Sequence, residues 1–312
     1  MKKALIISAT VLILLSAAAA SVFIWASLAT PTKHAYNAAK QGRAGTWEEM
    51  TSSMNTANRI AFTTIESADW SIDLSGLLNL KHPKAVAAGL ENTLEPIKVY
   101  MYHVAHPNYG NFLFDTGVAE AFTTLPAIQS LPGFLQKAMG FERLQITQST
   151  DAFLAQLNQP INGVFLTHLH MDHISGLPAI ERGVPIYIGK GEANQKFPLF
   201  AVTQGIIDAI LQGRPPLAEW QAAVVDVFSD GSVWAIHAPG HTAGSTAYLI
   251  NSTAGTVLLT GDVSHTAWGW QHGVEPGQFT IDRGQNKASL SKLMQLSNDY
   301  PEIDVRVGHQ PL

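Results

Sequence analysis

The sequence predicts an α/β domain in which two β-sheets carry helices on their outer faces. Three observations support this class. Runs that read as strands are followed by stretches that read as helices, twice along the chain. Hydrophobic residues make up 46% of the 312 and charged residues only 14%, a balance that excludes disorder. From Arg59 the texture becomes strand-like, and residues 59–312 are enough for one sizeable core.

The chain opens Met1-Lys2-Lys3 and then runs from Ala4 to Thr32 without a charge. Residues 1–32 have two readings. A cleaved signal peptide has a basic start, a short apolar core and small residues at the cut, here Ala18-Ala19-Ala20 before Ser21. A transmembrane anchor needs only length, and Ala4 to Ala29 is long enough to span a bilayer. Either way Lys2 and Lys3 stay inside and the body is exported, to the periplasm or another extracytoplasmic space. Residues 33–58 are polar and Ala-rich, and read as a juxtamembrane linker or helix.

Strands follow at Ile60 to Ile65, Ile97 to Val104 and Asn111 to Phe114, the last ending in Asp115-Thr116-Gly117. Residues 118–150 are apolar but irregular, the texture of a helix pair or of a flap over a site. Val164-Phe165-Leu166 reads as the end of a buried strand, and Val184 to Ile188 as another. Residues 191–222 look mainly helical, broken at Gly213-Arg214-Pro215-Pro216. Val224 to Phe228 and Ser232 to His237 are strands, Thr246 to Asn251 and Thr256 to Thr260 a hairpin. Asn286 to Leu296 is helical, with Leu290, Leu293 and Leu296 on one side, and Ile303 to Val307 is the last strand.

Net charge is −5 and no Lys/Arg cluster occurs, which argues against a nucleic-acid partner. There are no cysteines, so disulfides, thiolate metal ligands and a Cys nucleophile are excluded together. The chemistry must come from elsewhere. Thr167 to His173, THLHMDH, places His168, His170, Asp172 and His173 on a loop between a strand and a helix. Three imidazoles and a carboxylate at that density point to metal, held on a rigid scaffold that still faces substrate. Three later residues each follow an apolar strand: His241 in PGHTAGS, Asp262 in LTGD, His309 in VGH. Singly, His241 also reads as a capping or core histidine, Asp262 as an N-cap and His309 as a surface residue. In this order and context they read as one site.

The order H-x-H-x-D-H, GH, GD, GH over Arg59 to His309 resembles the metallo-β-lactamase-fold hydrolases. The resemblance implies an αββα sandwich with metals at one edge. His168, His170 and His241 would hold the first ion, Asp172, His173 and His309 the second, with Asp262 bridging. Such an all-N/O set suits two divalent ions, Zn2+ first, with Fe or Mn as alternatives. Asp115 would orient a ligand imidazole. Two such ions hold a bridging hydroxide and polarise the substrate, and Asp172 would shuttle the proton.

Departures narrow the branch. Asp262 and the lack of Cys argue against a true β-lactamase. Glyoxalase II enzymes carry a helical domain beyond the last motif, whereas three residues follow His309. The stretch between His173 and His241 is too short for the domain inserted in the nuclease branch. His170 stands where diiron flavoproteins have Glu. HPNYGNFLFDTG, LTHLHMDHISGL and DGSVWAIHAPGHTAGS are most similar to the N-acyl-homoserine lactonase-like branch, which implies a small apolar or acylated substrate and an ester or lactone bond. Residues 118–150 would hold an acyl chain. His265 stands where those lactonases often have a carbonyl-contacting Tyr, and would donate to the oxyanion in its place. Trp268 and Trp270 read as pocket walls or as core. His103 and His237 read as structural. Three rival functions remain: a phosphodiesterase, with Arg182, Lys190 and Arg283 as its nearest cations; a mononuclear iron persulfide dioxygenase using His168, His241 and Asp262; and a binding protein without turnover. Oligomeric state is not legible.

Overall fold

The computed structural model describes residue 16 and residues 33–56, 59–194 and 200–311. The apolar leader read as signal peptide or anchor therefore lies outside the described residues, Ser16 apart. Among the described residues no helix is long and apolar enough to cross a membrane. In chain order the strands are β1 (Tyr36–Ala38), β2 (Arg43–Ala44), β3 (Ala61–Asp73), β4 (Leu94–His106), β5 (Gly110–Phe114), β6 (Gln145–Ile146), β7 (Ile161–Phe165), β8 (Ile186–Ile188), β9 (Leu217–Glu219), β10 (Val224–Asp226), β11 (Val233–His237), β12 (Thr246–Ser252), β13 (Gly255–Gly261) and β14 (Asp304–Val307). They form one sheet in the order β1-β9-β8-β7-β5-β4-β3-β6 and a second in the order β14-β13-β12-β11-β10-β2.

Strand alternation builds three cores from these two sheets. In β5, Phe112 and Phe114 point between the sheets and Leu113 points outward. In β12, Tyr248 and Ile250 point between the sheets while Ala247 and Leu249 point outward. Both faces of the central strands are buried, so they read as continuous apolar runs. The outer face of the first sheet is covered by short helices and by Phe200–Leu211, which supplies Ile206, Ile207 and Ile210. The outer face of the second is covered by Trp47–Thr56, through Met50 and Met54, and by Arg283–Asp299, through Leu290, Leu293 and Leu296. The layers run helix, sheet, sheet, helix, which is the αββα sandwich.

Two expectations change and one open alternative is decided. Of the stretch read as linker or helix, residues 33–56 are described and are not a free linker: β1 and β2 close one edge of each sheet, and Trp47–Thr56 is a helix that buries Met50 and Met54. The cause is edge pairing, β1 with β9 and β2 with β10, which two- and three-residue strands cannot announce by periodicity. The stretch 191–222 is not helical to its end, because Leu217–Glu219 is the parallel partner of β8. Trp270 is core and Trp268 stacks on His272 with ring centres 4.1 Å apart, so neither is a pocket wall.

Parallel pairing sets the position of the site. β5 runs parallel to β7 in one sheet and β13 to β14 in the other, so the loops leaving their C-terminal ends meet at one rim.

Candidate metal centre

Five loops reach that rim. β5 delivers Asp115, β7 the 167–173 loop, β11 the loop of His241, β13 Asp262 and β14 His309. All seven residues expected as ligands converge there. His168, His170, His241 and Asp262 form one group; Asp172, His173, Asp262 and His309 form another, with Asp262 common to both. His241 Nε2 lies 3.1 Å from His168 Nε2 and 2.8 Å from His170 Nδ1. Asp262 Oδ2 is 3.6 Å from His168 Nε2 and 3.4 Å from both His241 Nε2 and His173 Nε2. His309 Nε2 is 3.3 Å from Asp172 Oδ2 and 3.4 Å from Asp262 Oδ1.

These separations fit tetrahedral metal sites. Bonds of about 2.1 Å in a tetrahedron put ligand atoms roughly 3.4 Å apart. Two features of the residues themselves support the fit. His173 Nε2 and Asp262 Oδ1 are buried without a hydrogen-bond partner in the midst of the ligands. Leaving both unsatisfied is costly unless a cation receives them.

The far nitrogens fix which atom faces inward. His309 Nδ1 donates to Lys98 O at 2.8 Å, so in the neutral ring its Nε2 carries the lone pair. His173 Nδ1 donates to Asp115 Oδ2 at 2.8 Å. Asp115 also accepts from Thr167 N at 2.8 Å and from Thr167 Oγ1 at 2.9 Å. That leaves the Thr167 hydroxyl oxygen to accept from His168 Nδ1 at 3.1 Å. His241 Nδ1 pairs with Thr280 Oγ1 at 3.2 Å. Asp115 takes a φ of 49°, a left-handed conformation that Asp tolerates, and this turns its carboxylate under the histidine loop. Gly308 is required by crowding, since a Cβ there would lie 2.2 Å from Asp262 Oδ1.

The two groups differ electrostatically. Burial keeps His168 and His241 neutral, far below the ordinary imidazole range, and presses His170 down to about 4. Burial also presses on His173 and His309, but nearby carboxylates outweigh it. Asp262, Asp115 and Asp172 raise His173, while Asp262 and Asp172 raise His309 to about 10. Burial would raise Asp262 and Asp172, yet the surrounding imidazoles hold both well below the usual carboxylate range. The second group therefore demands positive charge.

Sequence reasoning missed Glu192. It is buried, and it ties two ligand loops together. Its Oε1 accepts from Leu169 N at 2.7 Å; its Oε2 accepts from Thr242 Oγ1 at 2.8 Å and Gly244 N at 2.9 Å. It follows β8 in a turn without a motif, so only its burial marks it. His265 is buried beside the site, with Nε2 3.0 Å from Asp262 Oδ2. Its Nε2–H therefore donates to the shared carboxylate, and donation from Nδ1 to a substrate oxygen needs the imidazolium form. Of the remaining histidines, His103 pairs with Asn111 and His237 with Ala243 O, as structural residues do.

A cavity of about 330 Å³ opens onto this rim. Its polar floor includes His170, Asp172, Asp262, His265 and His309; Trp70, Leu77, Ile97, Leu135, Met139 and Phe279 supply apolar walls. Residues 118–150 form short helices, and the Gly133–Met139 helix contributes Leu135, Ala138 and Met139 to the wall.

The family model of the metallo-β-lactamase superfamily matches residues 95–303. The chain belongs to that superfamily. It is similar to an N-acyl homoserine lactonase AttM of Rhizobium johnstonii, 25% identical over 238 residues that cover 69% of this chain and 82% of the relative. A quorum-quenching N-acyl homoserine lactone lactonase superposes with a TM-score of 0.61 at 18% identity, covering 81% of this chain and 94% of that one. AidC, a dizinc quorum-quenching lactonase solved with a product, superposes at 0.51 and 18% identity, covering 81% and 91%. The chain is a metal-dependent, lactonase-like hydrolase of this superfamily.

Proposed function

We propose that the chain binds two divalent ions, Zn2+ by its N/O donor set, and opens the ring of an N-acylated lactone. The observation that carries this reading is the apolar cavity whose floor is the double ligand cluster. A lactone head over Asp172 and Asp262 leaves its acyl chain among Leu77, Ile97, Leu135 and Met139. The lactonases named in the comparisons support the same substrate class.

When bound, the ions supply Lewis acidity and activate water. The chain's own residues do the rest. The Asp172 carboxylate lines the cavity, is 19% exposed, and is held 3.3 Å from His309 Nε2. It is placed to take a proton from the attacking water and return it to the leaving alkoxide. His265 holds Asp262 in register. The apolar walls exclude bulk water.

The phosphodiesterase alternative needs a cation at the rim. Among the described residues lining the cavity that cation is Arg143, whose Nε donates to Ser71 O and whose Nη1 donates to Glu142 Oε1. A persulfide dioxygenase would leave Asp172, His173 and His309 without a task. Turnover of N-decanoyl-homoserine lactone beside bis-p-nitrophenyl phosphate, with Asp262→Ala as control, separates these readings. Lactone opening lost in the variant supports the proposal; phosphodiester cleavage alone overturns it.

We propose further that Ala4 to Ala29 anchors the body on the outer side of a membrane. Its uncharged length and the preceding Lys2 and Lys3 support this. A full-length mass in the membrane fraction is expected; a mass shortened at Ala20 contradicts it.

A further inference from the structure

The place where the chain joins the body lies on the helix that also contributes to the cavity lining. His34 N–H donates to Ala193 O at 3.2 Å, and His34 Nε2 lies 3.7 Å from Asp208 Oδ1. Asp208 is on the Phe200–Leu211 helix, and Thr203 of that helix lines the cavity. The two are five positions apart on the helix, about 7.5 Å along the axis.

The tether to the apolar stretch is short. From Ala29 to Lys33 the chain spans at most about 14 Å, even fully extended. If Ala4 to Ala29 enters a bilayer, the His34 face cannot stand far from the lipid surface.

The Gly133–Met139 helix is an apolar element that touches the core only through its partly buried Met139. No residue of the Gly133–Met139 helix is buried. Leu135, Ala138 and Met139 line the cavity, and Phe134 is turned out at 69% exposure. The neighbouring Pro126–Gln129 helix packs against Phe200–Leu211, the helix that His34 also reaches. Lys33, beside the tether, and Lys137, on the Gly133–Met139 helix, are both exposed and supply the charge that anionic headgroups attract. An apolar side chain flanked by lysine, close to a membrane segment, suits the headgroup–acyl boundary.

We propose that the cavity mouth docks on the bilayer, with Phe134 in the interfacial layer, so that an acylated substrate passes from lipid into the cavity. This rests on the anchor reading above, and not on the identity of the scissile bond.

The absence of cysteine allows single-site labelling of the full chain. Phe134→Cys would carry an environment-sensitive nitrobenzoxadiazole label. Ala254→Cys is the control: it is exposed in the β12–β13 turn, a strand's length before Asp262 and roughly 20 Å from the rim. Both proteins are reconstituted in vesicles of phosphatidylcholine with a minor fraction of phosphatidylglycerol. The label at 134 is expected to shift blue and lose roughly half its emission to spin-labelled acyl chains, with 254 unaffected. Failure to float with the vesicles overturns the anchor reading and the docking together. Flotation with 134 as wet as 254 overturns the docking alone. Shielding at 134 without quenching from lipid assigns the face to a second copy, and also overturns it.

Discussion

Asp115→Asn separates positioning from ligation. Asp115 touches no expected metal position, yet its carboxylate accepts from Thr167 N, Thr167 Oγ1 and His173 Nδ1 at 2.8 to 2.9 Å. Asn is nearly isosteric and tolerates the φ of 49°, so the backbone stays. Its amide has one acceptor oxygen. If that oxygen faces Thr167, the NH2 group opposes His173 Nδ1–H; if the amide flips, NH2 opposes Thr167 N–H. The first arrangement drives His173 to the tautomer with a proton on Nε2, the atom facing Asp172 and Asp262. Loss of such a partner typically costs 10- to 100-fold in metal affinity, about 1.4 to 2.7 kcal/mol. The loss falls mainly on the second group, because His173 bonds Asp115 directly, His168 reaches it only through the Thr167 hydroxyl, and His241 pairs with Thr280 instead. Zinc titration of metal-free protein against a competing chelator resolves the two steps. Equal weakening of both steps, or of neither, would refute the reasoning.

Three further outcomes are expected. The second step of zinc binding should tighten as pH rises toward about 10, because His173 and His309 hold protons that the metal must displace, while the first step stays flat above about 4, where His170 is already neutral; each proton displaced contributes roughly tenfold per pH unit, and equal slopes for both steps contradict this. Glu192→Gln opposes an NH2 group to at least one of three donors, so thermal melting should drop by the equivalent of about 1–3 kcal/mol and turnover should fall with it; an unchanged melting curve contradicts the clamp. Gly308→Ala should displace the shared carboxylate and empty the second group while circular dichroism stays native, and retained metal content contradicts this.

The ligand set was legible because its chemistry is local. THLHMDH carries its own spacing, and His241, Asp262 and His309 each follow an apolar strand that the alternation of side chains makes visible. The long strands and the Arg283–Asp299 helix were legible for the same reason. What escaped is non-local. β1, β2 and β9 exist only through pairing with distant strands, and no two- or three-residue segment shows a period. Glu192 carries no motif; its role comes from burial between two loops far apart in sequence. Trp268 and Trp270 left wall and core equally open, and packing decided for core.

The central claim is a double site with Asp262 shared. Metal content per chain of the full-length protein, beside Asp262→Ala, tests it most directly. Two ions are expected in the parent and a loss of at least one in the variant. A single ion in the parent, or two in both, would contradict the shared-carboxylate site.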